Sequence, residues 1–216
     1  TPARIEHLDA SVGVTSNEDE LVVDVAHVSL RAAQPDFGIN AMSGVIRRTA
    51  NEIAFENVSV RTEESTLRVN GTVQNIEGGA PVIDVTASSD KLALNELAKI
   101  VPALRGYDMQ PAFEVTASGP ADNLAVDLAA RDGRAGQVRA DVTVDALAPG
   151  RTVAGTVAVE HFNVAALTRG AGNGRPSPLA SDITGEARID LTLPAGSQPL
   201  SGTYAINADR VSVVRV

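Results

Sequence analysis

The sequence predicts an all-β protein: one long, curled, mainly antiparallel sheet that forms an open, taco-like apolar groove, with one or two short helices. Two observations carry the sheet and a third its curl. Apolar and polar residues alternate with period two along most of the 216 residues, the pattern of a sheet with one oily and one wet face. Short polar or Gly/Pro segments separate the apolar runs, as connections between antiparallel neighbours require. Glycines, among them Gly71, Gly155, Gly185 and Gly202, sit mid-strand on the apolar parity, with Gly44 a fifth candidate. There they mark either small residues tolerated against bulky partners or places where the sheet folds over.

Residues 3–9 and 20–30 read as strands around the polar loop Ser16-Asn17-Glu18-Asp19. In the second, Leu21, Val23 and Val25 oppose Val22, Asp24 and Ala26, which leaves its facing open. A strand over 37–47 follows the punctuation at Pro35. Next come two strands within Asn51–Val73, joined by Arg61-Thr62-Glu63-Glu64-Ser65. Leu67, Val69 and Val73 share a parity with Gly71. Reading Asn70-Gly71 instead as a hairpin turn leaves very short strands. After a strand over 82–88 the period changes: Leu94, Leu97, Ala98, Val101 and Leu104 recur at helical spacing, with Asp90 or Asn95 able to cap and Pro102 interrupting or ending the helix. That stripe is expected to pack on an edge or mouth of the sheet.

The clearest alternation follows. Phe113 and Val115, then Leu124, Val126 and Leu128, then Val138, Val142 and Val144, then Val153 and Val157 occupy one parity of four strands. The turns between them are at Gly119–Asp122, Asp132-Gly133 and Pro149-Gly150, too short for parallel crossovers. Asn163–Leu167 reads as a single helical turn and 170–180 as a Gly/Pro-rich loop. Ile183–Leu191, a turn at Pro194-Ala195-Gly196 and Leu200–Ile206 complete the pattern. Strand, short helix, linker and strand occur at 82–120 and again at 153–194, a weak internal repeat. The chain ends on the strand pattern Val211–Val216, so residues 1–216 are read as one segment of a longer protein.

Aromatic residues make up 3% and Trp is absent, so the oily face is built from Val, Leu, Ile and Ala. A net charge of −9 without a Lys/Arg cluster argues against nucleic acid and offers nothing to an anionic membrane surface. With no Cys there are no disulfides, thiolate metal sites or cysteine catalysis. His7, His27 and His161 are far apart and read as strand-surface residues, so no metal site is expected. Asp and Glu follow the wet parity as a solvated face demands. No nucleophile elbow, phosphate loop or calcium loop occurs, so neither catalytic residue nor cofactor is assigned and the chain reads as a non-enzyme.

Three stretches carry a family resemblance: Phe55-Glu56-Asn57-Val58 through Ser65–Val73; Leu92–Ala98 with Val101-Pro102-Ala103-Leu104-Arg105-Gly106; and Ser181–Ala187 leading to Leu191-Thr192-Leu193-Pro194. Together they resemble the AsmA-like/TamB family of bacterial envelope proteins. The resemblance implies a periplasmic segment of a chain anchored in the inner membrane, with a β-sheet groove serving phospholipid transport to the outer membrane or outer-membrane protein assembly. It implies phospholipid acyl chains as partners and, through the parent chain, a TamA-like barrel of the translocation and assembly module. The expected lipid-groove lining is Leu67, Val69, Val73, Phe113, Val115, Leu124, Val126, Leu128, Val138, Val142, Val144, Val153 and Val157. The alternative is a closed β-sandwich binding or adhesin module, its oily faces packed together.

Overall fold

The computed structural model describes residues 4–33, 36–107, 109–148, 150–168, 179–193 and 201–215. The strands are β1 (Ile5–Ser16), β2 (Glu20–Ala33), β3 (Asp36–Thr49), β4 (Glu52–Thr62), β5 (Thr66–Gln74), β6 (Val82–Ser89), β7 (Ala112–Pro120), β8 (Leu124–Asp132), β9 (Gly136–Asp145), β10 (Arg151–Phe162), β11 (Leu179–Leu193) and β12 (Ser201–Arg215). They form one twelve-stranded sheet in sequence order. Each neighbouring pair is antiparallel. Sequential pairing is what short connections dictate, because a hairpin returns the chain beside the strand it has just left.

The sheet is open. β1 and β12 each have one neighbour, and among the described residues no large side chain is fully buried. The chain exposes 13309 Å², whereas a compact domain of its mass exposes about 9,400 Å². A closed sandwich would need two packed sheets; the described strands make one, so the sandwich expectation is not met.

Side chains at the turns take up the free backbone donors. Asn17 Oδ1 accepts from the Asp19 and Glu20 amides at 2.9 and 2.7 Å. Asp132 Oδ1 does the same for Arg134 and Ala135, and Asp145 Oδ1 for Leu147 and Ala148. These are Asx turns, in which the short side chain replaces a backbone acceptor. On the wet face Arg47 Nε donates to Glu56 at 2.7 Å. That bond, the charge of Glu56 and then Glu20 hold its pKa above the ordinary value.

Several expectations are corrected. The first strand runs to Ser16 rather than ending at residue 9. Asn70-Gly71 lies within β5 and is not a turn. The helix expected from the spacing of Leu94, Leu97, Ala98, Val101 and Leu104 is four residues long, α1 (Leu94–Leu97), followed by a 3₁₀ turn at Pro102–Leu104. Neither Asp90 nor Asn95 is its N-cap: that residue is Ala93, with no side-chain cap, and Asp90 pairs with Arg68 at 2.9 Å. Val101, expected to pack with Leu94 and Leu97, is exposed. A second short helix, α2 (Val164–Thr168), stands where the helical turn was expected. The readings at Pro35, Pro149, 170–178 and Pro194–Leu200 lie outside the described residues.

Candidate functional site

The cross-strand register sorts the side chains into two faces. Residues directly opposite each other point the same way, so each face can be followed from strand to strand. One row runs Val69, Ala87, Val115, Leu128, Ala140, Val157, Ala187, Ile206. The next runs Gly71, Val85, Ala117, Val126, Val142, Gly155, Ile189, Tyr204. Val73 and Ile83 flank these rows on one strand pair, and Leu124, Val144, Val153 and Leu191 on others. Phe113, Ala130, Val138 and Val159 run along the opposite flank. Leu67 stands opposite Val60 of β4. All thirteen residues expected to line one surface therefore share a face, and Leu124 and Val138 are on the same side.

The face continues through the amino-terminal strands, but only because bulges re-phase them. In β2 the register slips between Val25 and Val28, so Val23 and Val25 share a face with Val28 and Leu30. Val22 instead lies opposite Thr15 and Arg47, on the wet side. β4 slips between Phe55 and Val58, and β10 between Val159 and Phe162. An extra residue in one strand restores the apolar side to a common face and bends the strand.

Two bulge residues adopt left-handed backbone: Asn57 at φ 50° and His161 at φ 51°. Both types tolerate that region better than most. Each has its amide taken by a side chain of the adjacent strand, Asn57 N–H by Asn70 Oδ1 at 2.7 Å and His161 N–H by Thr184 Oγ1 at 3.2 Å. The His161 ring also meets Asp182 at 3.0 Å. His161 is thus a bulge residue. The three-residue steps Phe55 to Val58 and Val159 to Phe162, where two are the rule, are the trace a bulge leaves in a sequence.

Gly71 and Gly155 sit on the same cross-strand row, with φ +132° and +149°. A Cβ on Gly71 would fall 2.6 Å from Val85 Cα, and one on Gly155 2.7 Å from Val142 Cα, each nearer still to a carbonyl oxygen. Only glycine satisfies both the dihedral and the close approach.

At the strand ends where the β4–β5 and β6–β7 connections lie, Glu96 of α1 is 3% exposed. Its Oε2 accepts from the hydroxyls of Thr62 and Ser65, the latter at 2.7 Å, and its Oε1 from the Glu63 amide at 3.1 Å. Ser65 Oγ in turn accepts from the Ala93 amide at 3.0 Å. Among the described residues no cation pairs with Glu96, so hydroxyl and amide donors stabilise the carboxylate. Glu96 lies in the Leu92–Ala98 stretch, but its burial and bonding are not legible in the sequence, because its partners lie 31–34 residues away. Glu96→Gln puts an amide donor against at least one of these donors and should cost about 1.5–3 kcal/mol. Hydrogen exchange should accelerate locally at residues 62–66 and 92–98; unchanged protection there would contradict the assignment.

The wet face has open depressions. One of about 410 Å³ is lined by Glu114, Thr116, Asp127, Arg139, Asp141 and Thr156. Among the described residues no group of three or more His, Asp or Glu side chains could hold a metal, and no helix is long and apolar enough to cross a membrane. No protein-family model, no curated protein and no solved structure matches the chain.

Proposed function

We propose that this chain is a periplasmic segment of an AsmA-like, TamB-type envelope protein. Its apolar face curls into a groove that conducts phospholipid between inner and outer membranes or supports outer-membrane protein assembly. A TamA-like barrel is the partner proposed for the parent chain, itself anchored in the inner membrane. The single observation behind this reading is the apolar face itself, followed by register from β1 to β12 and left open. On its edge strands Leu8, Val12, Val14, Tyr204 and Ile206 are exposed, while Val25, Val58, Leu124 and Val142 further in are at most 9% exposed. The curl is inferred from Gly44, Gly71, Gly155 and Gly202, all on that side at φ +129° to +149°, the kind of kink that curves a sheet.

The wall favours conduction over tight storage. An acyl chain of about sixteen carbons gains on the order of 13 kcal/mol on leaving water, but a bilayer already supplies that. Transfer from bilayer to an aliphatic wall is close to neutral. Val, Leu and Ala without hydrogen-bonding anchors give no strong preference for one position along the wall. We assign no catalytic role to any residue.

Neighbours on β8 test the reading. A photoreactive side chain at Leu128, on the apolar face, should crosslink lipid in lipid-containing membranes, and one at Ala129, on the wet face, should not. Equal crosslinking from both positions overturns the proposal.

A further inference from the structure

The β6–β7 connection has a fixed base and an exposed, locally cationic tip. At the base, the Leu92 amide donates to Pro111 O at 2.9 Å, the Leu94 amide to Met109 O at 3.0 Å and the Thr66 amide to Lys91 O at 2.9 Å. The buried Glu96 carboxylate ties the same segment to the β4–β5 turn. The base therefore holds the turn that follows. On that turn Ile100 is 51% and Val101 44% exposed, apolar side chains facing water although the sheet offers an apolar face.

Lys99 and Arg105 flank this pair and are exposed. Neither forms an ion pair among the described residues. The chain has two lysines, Lys91 and Lys99, both in this connection. From Lys99 to Tyr107 there is no acidic residue, although Asp108 follows, in a protein of net charge −9. Elsewhere arginines meet acids: Arg47 meets Glu56, Arg68 meets Asp90 and Arg210 meets Asp182.

We propose that the Lys99–Arg105 turn docks on an anionic bilayer surface, Ile100 and Val101 entering the headgroup layer while Lys99 and Arg105 meet lipid phosphates. An apolar pair flanked by long cationic side chains is the amphipathic arrangement that partitions into a charged interface. The overall negative charge does not prevent it, because fields from acids more than about 10 Å away are largely screened at ordinary ionic strength. This local patch is the exception to the composition, which by itself offers an anionic membrane nothing. The contact is weak and reversible, suited to touching a bilayer rather than anchoring in it. It does not depend on the groove reading, since the turn would dock whether or not lipid moves along the sheet.

The test is flotation of the 216-residue chain with vesicles of phosphatidylcholine alone or mixed with phosphatidylglycerol. At about 0.1 M salt, where distant acids are screened, wild type should prefer the anionic vesicles about twenty-fivefold, since each of the two basic side chains near such a surface contributes about fivefold. Lys99→Gln with Arg105→Gln should abolish the preference, and Ile100→Ser with Val101→Ser should weaken binding to both vesicles. These side chains are exposed, so the variants keep the fold. Val126→Asp, on the apolar face, should leave the preference intact, which separates this contact from the proposed groove. Equal binding of wild type to both vesicles overturns the proposal, as does an undiminished preference in the Lys99→Gln/Arg105→Gln protein.

Discussion

Gly71→Ala is expected to lower stability by about 4 kcal/mol, enough to leave a marginally stable domain largely unfolded. Two terms add. A residue with a Cβ is strained at φ +132°, at a cost of about 1–3 kcal/mol. The new methyl also lands 2.6 Å from Val85 Cα, and parting β5 from β6 to admit it costs a further 1–3 kcal/mol or so. The obstacle is backbone, so no rotamer change relieves it. Gly133→Ala is the control: nothing lies within 4 Å of its Cβ position in the β8–β9 turn, and the change should stay within about 0.5 kcal/mol. Urea unfolding followed by circular dichroism measures both. Equal midpoints would mean that β5 and β6 do not approach as described.

The second large effect is expected from Val142→Asp. Val142 is 9% exposed, opposite Val126 of β8 and Gly155 of β10. The side chains directly beside it in the row, Val126 and Gly155, offer a carboxylate no donor. The variant should lose about 3 kcal/mol and interrupt lipid contact on either side of the substitution. Val126→Asp, one strand away and less enclosed, should fold better and still block, which separates loss of the path from loss of the fold. On the wet face Asp127 stands directly opposite Asp141, and like charges so placed repel. Asp127→Ala should therefore be neutral or slightly stabilising. Urea midpoints and complementation by the full-length parent protein would check these outcomes. A well-folded Val126→Asp protein with full activity would remove the basis for the groove.

The strands that could be read cleanly are those without bulges. From β5 through β9 the register runs without a slip, so alternation in the sequence is alternation in space. Phe113, Val115, Leu124, Val126 and Val138 could be placed on one face from spacing alone. β2 could not be read this way. Its apolar residues fall on both parities, and the slip between Val25 and Val28 decides which of them share the sheet's apolar side. A bulge is a property of two strands together: the extra residue has no meaning until the partner shows which position it fails to match.

The connection between β6 and β7 departs from what its spacing predicts for a related reason. Leu94, Leu97 and Val101 have helical spacing, and spacing predicts an apolar stripe on the sheet. The structure buries Glu96 and exposes Val101. A carboxylate offered two hydroxyls and an amide can be buried without a cation, and those donors lie in a turn more than thirty residues earlier. Local periodicity weighs only side-chain transfer from water, and here long-range hydrogen bonding outweighed it.

What the sequence determined by itself is the set of choices that depend on near neighbours: strand rather than helix, antiparallel order through short connections, an aliphatic rather than aromatic oily face, and glycine at positions where a Cβ would not fit. The tertiary structure alone decided where strands carry an extra residue, which parity of β2 joins the apolar face, how the β6–β7 connection is fastened, and that the twelve strands stay one open sheet. These depend on pairing between segments distant in the chain. A period-two pattern is the same whether its oily face meets another sheet or remains uncovered, so alternation establishes the face and only the assembled strands determine what covers it.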